Sequence, residues 1–153
     1  MNSILNNNIL LSAVIAGSIA QIIKVILTFL TEKKIKWDRL IETGGMPSAH
    51  SAAVTALSVS LGMKYGWNSP LVAISFVFGY IVMYDATGVR QAAGKHAKLI
   101  NELIDELGHL FDEGFQPKTL KTLLGHTLPQ VFIGAMLGIL VAVLVMQNLP
   151  ATA

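Results

Sequence analysis

Apolar positions along this chain gather into four blocks, separated by polar joints that carry glycine. Residues 9–30, "ILLSAVIAGSIAQIIKVILTFL", run for 22 residues with one charge, Lys24. That is about the length a helix needs to cross a hydrocarbon core. The run is too long for a signal-peptide core and no basic residue precedes it, so it reads as a retained span. Residues 48–63 are short and rich in Ala and Ser, which suits a helix inside a bundle, where small side chains let backbones approach. Residues 70–84 form a third, short block. Residues 129–149 carry no charge and place Gly134 and Gly138 four apart, a spacing that favours close helix contact and is compatible with a homodimer.

Residues 89–111 follow another rule. Val89, Ala92, Ala93, Ile100, Leu103, Ile104, Leu107, Leu110 and Phe111 recur at helical spacing, while Lys95, Lys98, Glu102, Asp105 and Glu106 fall largely opposite. This predicts an amphipathic helix at the membrane surface or under the bundle. "DEGFQPK", residues 112–118, follows as a loop. The pattern as a whole predicts an all-α integral membrane bundle, about four transmembrane helices plus one amphipathic helix on the cytosolic side. A length of 153 residues fits a single domain, 1–153.

Composition agrees. Apolar residues make up 53% and charged residues 13%, against about 25% charged in an ordinary soluble domain. The absence of cysteine excludes disulfides and thiolate metal sites. A net charge of +2 is too small to argue for a nucleic-acid partner. The location of the charge says more. Lys33, Lys34, Lys36 and Arg39 lie in the first joint, and Arg90, Lys95, Lys98, Lys118 and Lys121 in the third, so these two hold nine of the eleven basic residues. The second joint has only Lys64. With four crossings, the positive-inside rule places joints one and three in the cytosol and both termini outside, in a multi-pass protein of the cell membrane.

Two joints carry candidate chemistry. "GGMPSAHSAA", residues 44–53, opens the second block. Gly44 and Gly45 allow close backbone approach, Ser48 supplies a hydroxyl and His50 a titratable proton. Such a stretch can be plain helix-start chemistry, with Ser48 as a cap, or an anion site at a helix N-terminus. "LLGHTLPQVFIGAMLG", residues 123–138, puts His126 at the start of the last block, on the same membrane face. Lys24, Arg90, Lys95 and Lys121 surround the pair in sequence terms. A nucleophile, a proton donor and several cations are what phosphoryl transfer needs. His96 and His109 read as interfacial or packed side chains. Asp85 closes the third block, where an unpaired carboxylate is costly. It reads either as a structural ion pair with Arg90, Lys95 or Lys24, or as a group orienting a histidine. Asp85 and Glu42 are too scattered for a metal site, so no metal or other cofactor is expected.

"PSAHS" resembles the PSGH motif of the type 2 phosphatidic acid phosphatase superfamily, and "GHTLPQVFIGAMLG" its third motif. With "YDATGVRQAAGKHA" and the small four-span layout, residues 20–140 resemble the divergent PAP2 group of small bacterial membrane proteins, relatives of acid phosphatases and vanadium haloperoxidases. The resemblance implies that His126 is the nucleophile, that His50 protonates the leaving alkoxide, and that Gly45 and Ser48 belong to the phosphate-binding motif. Lys24 takes the place of the first-motif lysine, whose arginine-proline companion is absent. Leu120 stands where the third motif has an arginine, with Lys121 beside it, and Arg90 or Lys95 would compensate. Gln130 occupies the position of the aspartate that orients the nucleophile; Asp85 is the other candidate for that work.

The implied activity is hydrolysis of a lipid phosphomonoester or pyrophosphate at the cytosolic face, through a phosphohistidine. Two alternatives belong to other classes. A small transporter would use Lys24 and Asp85 as pathway residues, though no inverted repeat is visible. A non-catalytic protein would bind an anion or phospholipid at the same place without turnover.

Overall fold

A computed structural model describes residues 6–33, 44–108, 119–122 and 124–149. Five helices and no strand appear among them: α1 (Asn8–Glu32), α2 (Ala49–Tyr65), α3 (Pro70–Thr87), α4 (Val89–Glu106) and α5 (Leu128–Asn148). The four expected blocks and the amphipathic segment are thus all helical. Residues 109–111, including His109, and the expected loop at 112–118 lie outside the described residues, as do Lys34, Lys36, Arg39, Glu42 and Lys118.

Starts and stops follow local chemistry. The Asn7 side chain accepts from the N–H groups of Ile9 and Leu10 at the start of α1. Ser69 caps α3, with Pro70 in its first turn. Ser48 caps α2, and Thr127 with Gln130 forms a capping box on α5. Each device satisfies N–H groups that a helix leaves unpaired at its start.

α2 is the centre. It packs on α1, α3 and α5, whereas α3 and α5 scarcely touch each other. Gly17 of α1 faces Ala53, and Ser12 of α1 meets Ser60 near the far end of α2, so these helices are antiparallel. Ser48 faces Gly134 and Ala52 faces Gly138, so α2 and α5 run parallel. The Asn8 amide donates to the Leu149 carbonyl, which brings both ends of the described chain to one end of the bundle.

The core is built from small residues. Ala16, Ala20, Ala52, Ala56, Val141 and Ala142 form its buried cluster. A side chain added at Gly138 would strike the Ala52 carbonyl and lie 3.0 Å from the Ala56 nitrogen; one at Gly134 would strike the Ser48 carbonyl. Backbone-to-backbone approach is what gives helices in lipid their van der Waals attraction. The expected glycine seam therefore exists, and α2 occupies it, so a homodimer would have to form through another face. Core hydroxyls are paired: Ser12 and Ser60 share a hydrogen bond of 2.6 Å, and Ser58 and Ser75 donate to carbonyls one turn back.

The outer faces are apolar. Ile22 and Leu30 on α1, Ile74 and Tyr80 on α3, and Phe132 and Leu140 on α5 are all exposed, as in a protein solvated by lipid. Three helical stretches are long and apolar enough to cross a membrane: Asn8–Thr31, Pro70–Glu106 (which joins α3 to α4) and Leu128–Asn148. The sequence reading of about four differs at α2. Its 17 residues, rich in Ala and Ser, are less apolar because neighbouring helices cover it. α4 has the expected polar and apolar faces, and buries only Gly94 and Ala97.

Close approach at Gly138 makes a graded prediction. Gly138→Ala should lower stability in detergent by about 1–3 kcal/mol, as overpacking against backbone does. Gly17→Ala, whose new methyl would sit 3.6 Å from Ala53, should be neutral or slightly stabilising, since Ala favours helix by up to about 1 kcal/mol. Thermal unfolding of the two variants checks the order; equal effects would contradict the packing.

Candidate functional site

Both polar joints meet at one end of the bundle. The Ser48 N–H donates to the Gln130 carbonyl at 3.1 Å, tying the start of α2 to the first turn of α5. This bond brings His50, on the first turn of α2, and His126, two residues before α5, to a single cavity of about 230 Å³. Ile81, Val82, Asp85, Ala86 and Arg90 complete its lining.

His126 is held from every side. Its N–H donates to the Ala86 carbonyl at 2.8 Å, and its carbonyl accepts from the Gln91 amide at 3.3 Å. The preceding Gly125 has φ +80°, and a side chain there would collide with the backbone of Gln91 and Ala86. Only glycine lets the loop lie this close to the α3–α4 junction. The residue is 3% exposed.

The ring is oriented by Gln130. Nδ1 lies 3.2 Å from Gln130 Oε1, and the same oxygen accepts from the Thr127 N–H at 3.0 Å. A backbone N–H can only donate, so the capping box fixes which end of the amide faces the histidine. An amide oxygen can only accept, so Nδ1 carries the proton and Nε2 keeps its lone pair. Nε2 is buried, with the Gly45 backbone near it and no hydrogen bond of good geometry to it among the described residues. Burial lowers the His126 pKa below its ordinary value; the Gln130 hydrogen bond and the Gly45 backbone oppose this, and the charges of Lys24 and His50 add to the lowering. The neutral imidazole with a free Nε2 is the form that attacks an electrophile.

Lys24 reaches this place from α1. It is 3% exposed, and its stem lies against Gly45, where a side chain would sit 3.3 Å from the lysine Cδ. Gly45 has φ +90°, so both conformation and space favour glycine there. Asp85 and Arg90 form an ion pair at the cavity wall, with both side chains partly exposed. That pairing is the structural one expected for Asp85. Ser48 is fully buried, and its hydroxyl accepts from the Ser51 N–H at 3.3 Å and the Ser51 hydroxyl at 2.9 Å. It serves the helix cap. Lys95 and Lys121 are exposed and do not line the cavity; α4 and the segment before His126 carry them on outward faces.

Gln91 and the Ala86 carbonyl were not singled out from sequence, although both fix the His126 backbone. Their signal was their place beside Arg90 and Asp85 in "YDATGVRQ", but nothing in spacing alone links that stretch to residue 126. Among the described residues no three His, Asp or Glu side chains converge as a metal site requires.

A match to the divergent PAP2 family covers residues 5–141. The chain is 43% identical over 146 residues to an uncharacterized membrane protein, YuiD, of Bacillus subtilis (strain 168), covering 90% of this chain and 92% of that protein. No solved structure matches it significantly.

The position of Lys24 makes the His126 titration a test of the geometry. Followed by NMR of the labelled imidazole, His126 should titrate below the ordinary value of about 6.5. Lys24→Met should move the midpoint up by removing a positive charge. Gln130→Leu should move it down by removing the acceptor that favours the charged ring. An unmoved midpoint in Lys24→Met would place the ammonium elsewhere.

Proposed function

Because the chain belongs to the divergent PAP2 family, we propose that it is a membrane phosphatase acting on a lipid phosphomonoester or pyrophosphate through a phosphohistidine. The observation that carries this reading is the buried Nε2 of His126, which no side chain engages, in a cavity shared with His50 and Arg90. Arg90 and Lys24 supply positive charge for a phosphate dianion. His126 Nε2 attacks phosphorus, an N–P bond forms, and the P–O bond to the lipid alcohol breaks. His50, protonated, delivers its proton to the leaving oxygen. Water then attacks the phosphohistidine, giving up its proton to His50; inorganic phosphate leaves and His126 is regenerated. Asp85 acts through Arg90, holding the guanidinium at the cavity wall. Gly45 and the cap at Ser48 hold the loop that approaches the phosphate. Lys95 and Lys121, on outward faces, attract anionic headgroups toward the site rather than touch the phosphate.

Purified protein should release phosphate from a short-chain phosphatidate. His126→Ala and His50→Ala should each lower the rate by at least about 100-fold, the scale of general acid–base and nucleophilic contributions, with unchanged thermal unfolding. Vanadate should inhibit by imitating five-coordinate phosphorus. Phosphate binding without any turnover would instead support the non-catalytic reading, and full activity in either variant would end the assigned roles.

The site is proposed to face the cytosol, with both termini outside, because the basic residues lie in the joints at this end. Cysteines can test this in a chain that has none. In intact cells a membrane-impermeant thiol reagent should miss Gly44→Cys and Gln116→Cys and label Asn68→Cys. The reverse pattern would invert the protein and move the search for substrate to the outer leaflet.

A further inference from the structure

A larger cavity lies elsewhere. A cleft of about 540 Å³ runs between α3 and α5, with α2 as its back wall. α2 contributes Val54, Val59 and Met63, α3 contributes Phe76 and Met83, and α5 contributes Val143. It exists because α3 and α5 each pack on α2 and scarcely on one another. Its lining is almost wholly apolar, and the Ser58 hydroxyl within it is already bonded to the Val54 carbonyl. Its other polar side chains are those of Thr55, Trp67 and Gln147.

We propose that this cleft holds one hydrocarbon chain of the lipid whose phosphate occupies the His50–His126 cavity; this rests on the phosphatase reading above. Continuity is the argument. On α2, His50 lines the small cavity and Val54, one turn on, lines the cleft. On α3, Val82 and Asp85 line the small cavity, while Gly79 and Met83 line the cleft. The two spaces therefore adjoin along two helices at once. Gly79 stands among large apolar residues on α3, and a methyl there would sit 3.6 Å from Val54. A longer side chain would fill the passage between α2 and α3. At the far end, Trp67 folds over Gly62, and Gln147 adds a polar boundary. From His50 to Met63 the helix rise gives a reach of about 20 Å.

The cleft between α3 and α5 takes one chain, and a second chain, where present, stays in the bilayer. Single-chain alkyl or polyprenyl phosphates are then full substrates. Affinity rises with chain length while the chain still fills the cleft.

Two measurements on the full-length protein test this. An alkyl phosphate with a terminal diazirine should, on illumination, label residues around Val59, Met63 and Trp67, and excess unlabelled alkyl phosphate should displace it. The corresponding alkanol should displace it poorly. Separately, Gly79→Leu should lower kcat/KM for dodecyl phosphate by about tenfold or more, the scale on which apolar pockets discriminate, and leave phenyl phosphate unaffected. Labels spread over the outward faces of α1, α3 and α5, or equal losses on both substrates, would overturn the cleft while leaving the phosphatase reading standing. Cleft labelling displaced equally by alkanol would also overturn it, since the chain would then be held without its phosphate. Should no substrate release phosphate, the phosphatase reading fails alone, and the labelling pattern still decides the cleft.

Discussion

The structure depends on one short-range contact, the approach of the α2 backbone to the glycine face of α5. Ser48 donates its N–H to the Gln130 carbonyl, and Gly134 and Gly138 let the carbonyls of Ser48 and Ala52 come close. In water, burial of apolar area would drive such packing; in lipid that driving force is absent, and close contact with satisfied polar groups takes its place. The same contact sets the spacing between His50 and His126. Stability and site geometry therefore rest on the same few atoms, and a side chain at Gly134 would disturb both.

Around this contact the polar groups are arranged in sequence. Gln130 caps α5 and orients His126 with one oxygen. Gly125 brings the His126 loop onto the α3–α4 junction, where Ala86 and Gln91 take up its backbone groups. Asp85 and Arg90 lie across that same junction. A change in the tilt of α3 would thus reach the histidine through its backbone, without passing through any side chain of the cavity.

Much of this was legible in the sequence, for physical reasons. Apolar length gave α1 and α5, helical periodicity gave α4, and proline and serine marked the helix starts. His50, His126, Lys24, Asp85 and Arg90 were visible because charged or titratable groups stand out in an apolar chain. α2 was harder: a helix covered on three sides needs little hydropathy, so its Ala–Ser composition says where it packs better than whether it crosses. Ser48 read as either a cap or a ligand, because one hydroxyl can do either job; the structure shows it capping α2. Lys95 and Lys121 were close to the site in sequence, but helix rotation turned Lys95 outward and the non-helical segment before His126 carries Lys121 on its exposed side. The cleft between α3 and α5 left no local trace, since it arises from two helices failing to meet.

Gln130 in place of a carboxylate changes the electrostatics of the site in a definite direction. A carboxylate on Nδ1 would stabilise an imidazolium; an amide oxygen accepts the hydrogen bond without adding negative charge. Lys24, buried nearby, opposes a positive ring further. The resting histidine is therefore held neutral; on the phosphatase reading proposed above, positive charge developing on the ring as an N–P bond forms would find little support from the protein. On that reading the compensating negative charge would come from the phosphate itself. A dianionic monoester supplies more of it than a monoanionic diester. On the proposed phosphatase reading, this balance would favour a terminal phosphate over an internal one.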